Sequence, residues 1–379
     1  MIYFDNSATT KPDPTVLQSF QQVSKQYYGN PSSVHRLGLE TETLLRKAHE
    51  QAASILDVDV NEVVFTSGGT EGNNTAIKGI ALAHKNKGKH IITTQIEHPS
   101  VIEACKTLEN IGFSVTYLPV DKTGVVDIKD VQQALREDTI LVSIMHVNNE
   151  IGSIQPIEEI GELMKHRKKT YFHVDHVQGF GKVPLSLKNS GIDLCTISGH
   201  KIHGLKGTGL LYIRNGINIF PLFDGGAQQF NYRSGTENVA GIVSLVKAMR
   251  IINEKHKNNR NYLYELNQIL RNSLQELSYV CFNTTEKQAP HIFNFSIPGY
   301  KPEVIIHALG ERDIFISTKS ACSSKKPDES AVLRAIGMPK EIAKSGLRVS
   351  FSYENTREEI ELFCRSLRKV TQQLSLVMG

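Results

Sequence analysis

Short apolar runs recur through the first two-thirds of the chain, each ending in small or polar residues. Residues 63–66, 90–94, 114–120, 140–146, 170–174, 192–197 and 210–214 read as buried strands. Between them lie stretches of helical spacing. Pro12 and Pro14 open one that runs to about Tyr28, and the next carries Leu37, Leu44, Leu45, Ala48, Ala52 and Ile55 on its apolar side. Strand and helix in alternation predict an α/β architecture.

The pattern changes after a helix that begins at Glu237 and enters the charged stretch 254–260. That stretch is the expected boundary of a second, smaller α+β unit. Strands are expected near 279–282, 291–297, 314–317 and 347–352, with helices over 302–309, from 329, and over 357–377. At 379 residues the chain exceeds one hydrophobic core, which fits two domains.

Composition narrows the class. Hydrophobic content of 40% and charged content of 22% are those of a globular enzyme, and the net charge of +4 is dispersed. The basic run 166–169 reads as a solvated helix end, and no basic stripe with interleaved aromatics points to nucleic acid. No apolar run approaches 18 residues and no leader pattern opens the chain, so a cytoplasmic location is expected. Five cysteines without a CxxC pair argue against a disulfide framework or a zinc site. His173 and His176, three apart on a strand, point to opposite faces and are not expected to chelate.

Candidate chemistry gathers at strand ends, where α/β sheets bind ligands. Lys201 follows the run 192–197 and Asp175 follows 170–174. A lysine at such a place can snorkel to solvent or act as the nucleophile for a carbonyl cofactor. With a carboxylate to hold a ring nitrogen protonated, the two make the pair that pyridoxal phosphate needs. His98 and Asn148 follow two further strands. The turn after residue 66, Ser67-Gly68-Gly69-Thr70, reads either as an ordinary capped turn or as a phosphate cradle at a helix N-terminus. It is neither a Walker A motif nor GxGxxG. Cys105, Cys195, Cys281 and Cys364 fall in helix or strand patterns, whereas Cys322 sits in a polar loop beside Lys319, Lys325 and Lys326. That setting favours a thiolate, though an incidental loop cysteine would look the same.

Taken together, these motifs resemble the cysteine desulfurases, fold type I pyridoxal phosphate enzymes of the class V aminotransferase family. The likeness runs through Asp5–Thr10, Gly29–His35, Ser67–Asn74, Glu97–Pro99, Met145–Gly152, His173–Gln178, Ser198–Lys201, Arg233–Asn238, Ser320–Cys322 and Leu347–Ser350. It implies a large domain over 15–257, built on a mostly parallel, seven-stranded sheet between helices. Residues 1–14 and 258–379 would form a small domain carrying the cysteine loop. It implies that Lys201 carries the cofactor, Asp175 pairs with the ring nitrogen, Gln178 meets the ring oxygen and His98 stacks on the ring. Gly69, Thr70, Ser198 and His200 would hold the phosphate, joined by Thr236 from the second subunit of a homodimer. Asn148 and Arg348 would hold the carboxylate of L-cysteine, and Cys322 would accept its sulfur as a persulfide.

Two positions depart from the family pattern. His176 stands where alanine is common, close enough to the expected ring to perturb it, and Lys319 replaces a glycine before the cysteine. The loop length matches the long-loop branch of the family. The resemblance implies an acceptor protein, either an iron–sulfur scaffold or a tRNA thiouridine synthase, and the atypical loop favours the second. The competing expectations are selenocysteine lysis, transamination, or a non-catalytic sulfur-relay scaffold.

Overall fold

The computed structural model of the protein describes residues 1–318 and 329–378. Its strands are β1 (Ile2–Tyr3), β2 (Val63–Thr66), β3 (His90–Thr94), β4 (Ser114–Leu118), β5 (Thr139–Met145) and β6 (Tyr171–Asp175), followed by β7 (Leu194–Ser198), β8 (Gly209–Ile213), β9 (Cys281–Phe282), β10 (Ile292–Ser296), β11 (Ile314–Phe315) and β12 (Gly346–Ser350). The helices are α1 (Pro14–Gln26), α2 (Arg36–Leu56), α3 (Gly69–His84), α4 (Pro99–Glu109), α5 (Ile128–Ala134) and α6 (Ile157–Met164), followed by α7 (Val239–Asn258), α8 (Tyr262–Gln275), α9 (Pro302–Gly310), α10 (Ala331–Ala335), α11 (Lys340–Lys344) and α12 (Arg357–Met378).

Seven strands form one sheet in the order β2-β8-β7-β6-β5-β3-β4, with β8 antiparallel to both neighbours and every other pairing parallel. Alternation along each strand assigns its two faces. Val64, Ile91, Leu141, Leu194 and Leu211 pack with Ile77, Ile80 and Val101 from α3 and α4. Phe65, Ile92, Val142, Val174 and Cys195 pack with Leu45, Ala52, Leu245 and Met249 from α2 and α7. Both faces are therefore covered, as parallel sheets require. Truncating a fully buried residue of this layer, such as Ile77→Ala, costs ~2–5 kcal/mol.

Register fixes the site edge. Met145 on β5 lies opposite Asp175 on β6, which lies opposite Thr196 on β7, so these parallel strands present their carboxyl ends together. Gly209 on β8 faces both Thr66 and Ser198. A Cβ on Gly209 would come within 2.6 Å of the Gly68 Cα, and Gly68 itself has a φ of 146°, so this corner requires glycine.

A second core surrounds the antiparallel sheet β12-β10-β9. It joins Phe293, Phe295, Leu347 and Val349 to Leu263, Leu266, Leu270 and Leu274 of α8, and to Phe363 and Leu367 of α12. Phe4 is buried in it, and the segment after Phe4 crosses to the large sheet, where the Thr10 N–H donates to the His200 carbonyl over 2.8 Å.

The charged stretch expected as a boundary is helical through Asn258, the end of α7. Lys255, His256 and Lys257 occupy its last turn, where cations complement the helix dipole. The chain breaks only at 259–261 before α8. Leu263, Leu266, Leu270 and Leu274 of α8 recur at helical spacing, and only its polar flanks make the segment resemble a linker.

Candidate active site

The carboxyl ends of β5, β6 and β7 open on a cavity of about 290 Å³. Gly69, Thr70, His98, Asp175, Gln178, Ser198, His200, Lys201 and Arg348 all line it. The fold thus brings together nine of the residues singled out in the sequence, drawn from five segments.

Lys201 ends a single 3-10 turn, Gly199–Lys201, that follows β7. Its Nζ donates to the carbonyls of Ser7 and Ala8 at 2.6 Å each, so the crossing N-terminal segment holds the ammonium. Asp175 is buried, with one carboxylate oxygen accepting from Asn73 Nδ2 at 2.7 Å and the other from the Val177 N–H at 3.0 Å. The same Asn73 amide donates to Ser100 Oγ at 2.9 Å, and Ser100 Oγ lies 2.8 Å from His98 Nδ1. Ser100 N–H also donates to that nitrogen, so Nδ1 is an acceptor and the ring proton sits on Nε2. Burial lowers the His98 pKa, opposed by Asp175 and aided by Lys201. Burial likewise takes His200 down to about 4, with Lys201 and Lys206 adding repulsion. Both imidazoles are neutral near pH 7.

Arg348 is wholly buried, and its guanidinium is oriented on four sides. Nε and Nη2 donate to Ser317 Oγ at 3.1 and 2.7 Å, Nη1 to the Asn149 carbonyl at 2.6 Å, and Nη2 to Asp5 at 3.0 Å. Four of the five N–H donors are thus taken, and one Nη1 hydrogen remains for an acceptor in the cavity.

Pyridoxal phosphate, the group implied by the Lys–Asp pair, fits these residues. Buried oxygens of Ser7, Gln178 and Ser198 line the cavity without partners among the described residues. The N-terminus of α3 opens on the same space, because Gly68 provides no side-chain cap and leaves the first-turn N–H groups unclaimed by one. Thr70, Ser198, His200 and Lys206 surround that helix end.

Two expectations change. Asn148 does not line the cavity: its amide donates to the Ile96 carbonyl at 2.9 Å and its Oδ1 accepts from the N–H groups of Glu150 and Ile151. These bonds consume Asn148 in closing the turn, and the adjacent Asn149 faces the cavity. His176 turns away as well, its Nδ1 lying 2.9 Å from His146 Nδ1 behind the sheet edge. The ring therefore does not stand beside the site, whereas His173 bonds Ser143 and Thr196. Thr236, expected to act from a second subunit, lines a separate cavity of its own chain with Ser67, Gly207 and Arg233. Cys322 and Lys319 lie outside the described residues. Asn73, Ser100 and Asn149 were not singled out. A buried Asn on the apolar face of α3, beside Ala76, Ile77 and Ile80, was the available signal for the first.

The model of the aminotransferase class-V family matches residues 2–363. The chain belongs to that family. It is 46% identical to a NifS/IcsS protein homolog of Lactobacillus delbrueckii subsp. bulgaricus, over 100% of this chain and 99% of that protein. It is 42% identical to the cysteine desulfurase IscS of Dictyoglomus turgidum, over 99% and 96%. A solved NifS-like protein superposes with a TM-score of 0.92 at 38% identity, covering 99% of both chains. The chain is thus a class V member of the NifS/IscS type with the fold of type I pyridoxal phosphate enzymes, and pyridoxal phosphate is the cofactor of this family.

Proposed function

We propose that the protein is a cysteine desulfurase that converts L-cysteine to L-alanine and leaves the sulfur as a persulfide on Cys322. One observation supports this above the others: Asp175 at the end of β6 and Lys201 in the turn that follows the adjacent strand β7 face one cavity with the buried guanidinium of Arg348.

In this reading Asp175 pairs with the cofactor's ring nitrogen, Gln178 with its ring oxygen, and His98 lies against the ring. Gly69, Thr70, Ser198 and His200 hold the phosphate at the α3 N-terminus, and Thr236 joins them from a second copy in a homodimer. When bound, pyridoxal phosphate supplies a Schiff-base carbonyl and an electron sink for the pair released at the substrate Cα. Arg348 and Asn149 hold the substrate carboxylate, which orients the Cα proton towards Lys201. The Lys201 amine takes that proton, and His98, neutral and protonated on Nε2, is placed to assist transfers beside it. Cys322 thiolate attacks the substrate sulfur. The S–S bond forms as the C–S bond breaks, the C–S electron pair goes to the carbon, and protonation there completes alanine.

The remaining cysteines support the choice of Cys322. Burial pushes Cys105 up to about 12 and Cys364 to about 11, and raises Cys195 well above the ordinary thiol value. These three stay protonated and inert. Cys281 is half-buried on β9, in the smaller sheet.

The persulfide would pass to an acceptor protein, and a tRNA thiouridine synthase is favoured over an iron–sulfur scaffold because Lys319 alters the loop. A cytoplasmic site of action belongs to the same reading, and no helix among the described residues is long and apolar enough to cross a membrane. The domain division at 15–257 belongs to the same reading. Incubating the cofactor-loaded protein with L-cysteine and a thiol reductant should yield alanine and sulfide in equal amounts. Pyruvate or a keto acid in place of alanine would contradict the assignment.

A further inference from the structure

Lys182 is a buried lysine hydrogen-bonded to the turn that carries Lys201, and nothing described above uses it. It closes the loop that starts at Asp175 and passes Gln178, and its side chain is only 5% exposed. Its Nζ donates to the main-chain carbonyl of Lys201 over 3.0 Å. Among the described residues no carboxylate pairs with it, and burial takes its pKa down to about 8. A buried cation without a counter-ion is costly, so its presence needs a reason.

The surroundings supply one. The titratable groups that feel its charge are His176, His200, His203 and His291, each held neutral by burial, so none of them compensates it. The N–H groups that follow Lys201 are committed elsewhere. Ile202 and Gly204 donate to the Gly199 carbonyl, and His203 donates to Thr10 Oγ1. The Lys201 carbonyl points into this buried region, where Lys182 supplies the donor. Lys201 is thereby held at two points, its ammonium by Ser7 and Ala8 and its backbone by Lys182.

We propose that Lys182 is a positioning residue: its hydrogen bond to the Lys201 carbonyl fixes the turn carrying Lys201 against the loop carrying Asp175 and Gln178. The inference rests on the reading of Lys201 as the cofactor lysine. Without this bond the turn could shift relative to Asp175, and a small misplacement of a reacting group is expensive.

The test compares Lys182→Met, which removes donor and charge, with Lys182→Gln, which keeps an N–H donor. Cofactor-free protein is mixed with pyridoxal phosphate, and growth of the visible absorbance of the lysine-bound cofactor is followed. Lys182→Met should slow attachment about tenfold and lower kcat about tenfold with the KM for cysteine unchanged, the loss of one buried hydrogen bond. Lys182→Gln should recover most of both, and the thermal midpoints of all three proteins should be close, since the variants remove a desolvation cost as well as a bond. Attachment by Lys182→Met at the unaltered rate would overturn the proposal. So would equal defects in the two variants accompanied by a lowered thermal midpoint, which would make Lys182 structural. Failure of the desulfurase reading is separable, because it would appear as absence of alanine from the unaltered protein while cofactor attachment proceeded.

Discussion

The Asn73 amide donates to the Asp175 carboxylate over 2.7 Å and, with its other hydrogen, to Ser100 Oγ. One side chain from α3 therefore orients both the carboxylate that would meet the cofactor's ring nitrogen and the serine that sets the tautomer of His98. This link crosses from α3 to β6 and α4, so none of these residues carries the arrangement alone.

Replacing Asn73 by Leu keeps the branching and the number of side-chain heavy atoms but removes both donors. The variant should fold, since its apolar neighbours remain, and should hold pyridoxal phosphate about tenfold more weakly, the effect of ~1.4 kcal/mol lost at one charge-assisted bond. Absorbance titration of the cofactor-free variant measures this, and an unchanged dissociation constant would show that Asp175 is oriented without Asn73.

Much of this centre was legible from residue order. Lys201 and Asp175 were identifiable because each follows an apolar run at the carboxyl end of a strand, and the parallel register then brings those ends together. Asn148 was misread for its neighbour because adjacent residues in a turn point in opposite directions, and only the hydrogen bonds to Ile96, Glu150 and Ile151 show which is consumed. His176 was misplaced for a related reason: its partner His146 lies thirty positions away on the neighbouring strand's end. The α8 helix is legible too, since Leu263, Leu266, Leu270 and Leu274 recur at helical spacing, but the charged stretch before it reads as a boundary; those leucines pack in the core with β10 and β12.

Borohydride reduction of the loaded protein should fix the cofactor on Lys201, read by mass spectrometry of the labelled peptide. Lys201→Ala should lose turnover entirely. Label on Lys182 or Lys206 would refute the assignment.

Arg348→Lys keeps the charge but loses the fork that Ser317, Asn149 and Asp5 orient. The KM for cysteine should rise about ten- to hundredfold, corresponding to ~1.5–3 kcal/mol for a charge-assisted pair. A KM within twofold of the unaltered value would remove Arg348 from carboxylate recognition.

Stability should pass through a maximum near neutrality. His90, His146 and His200 titrate near 4 in the fold and His173 near 3, all lowered by burial from the ordinary value of 6.5. Their contribution is present above pH 6.5 and is lost as pH falls towards 4, because the unfolded chain binds those protons first. Glu97 acts at the other end: burial raises it from 4.5 to about 8, so its contribution is full below pH 4.5 and is lost as pH rises through 8. Denaturant midpoints from pH 4 to 9 should trace this maximum, and Glu97→Gln should flatten the alkaline limb. A steep alkaline limb surviving in that variant would assign it to another group.

The most direct measurement is a single comparison of Cys322→Ser with the unaltered protein. The substitution removes the thiolate and barely changes volume, while the described residues that line the Lys201 cavity come from other segments. The variant should therefore bind pyridoxal phosphate normally, respond to L-cysteine with a change in cofactor absorbance, and release almost no alanine. Alanine and sulfide released at the unaltered rate would contradict the claim that Cys322 takes the sulfur.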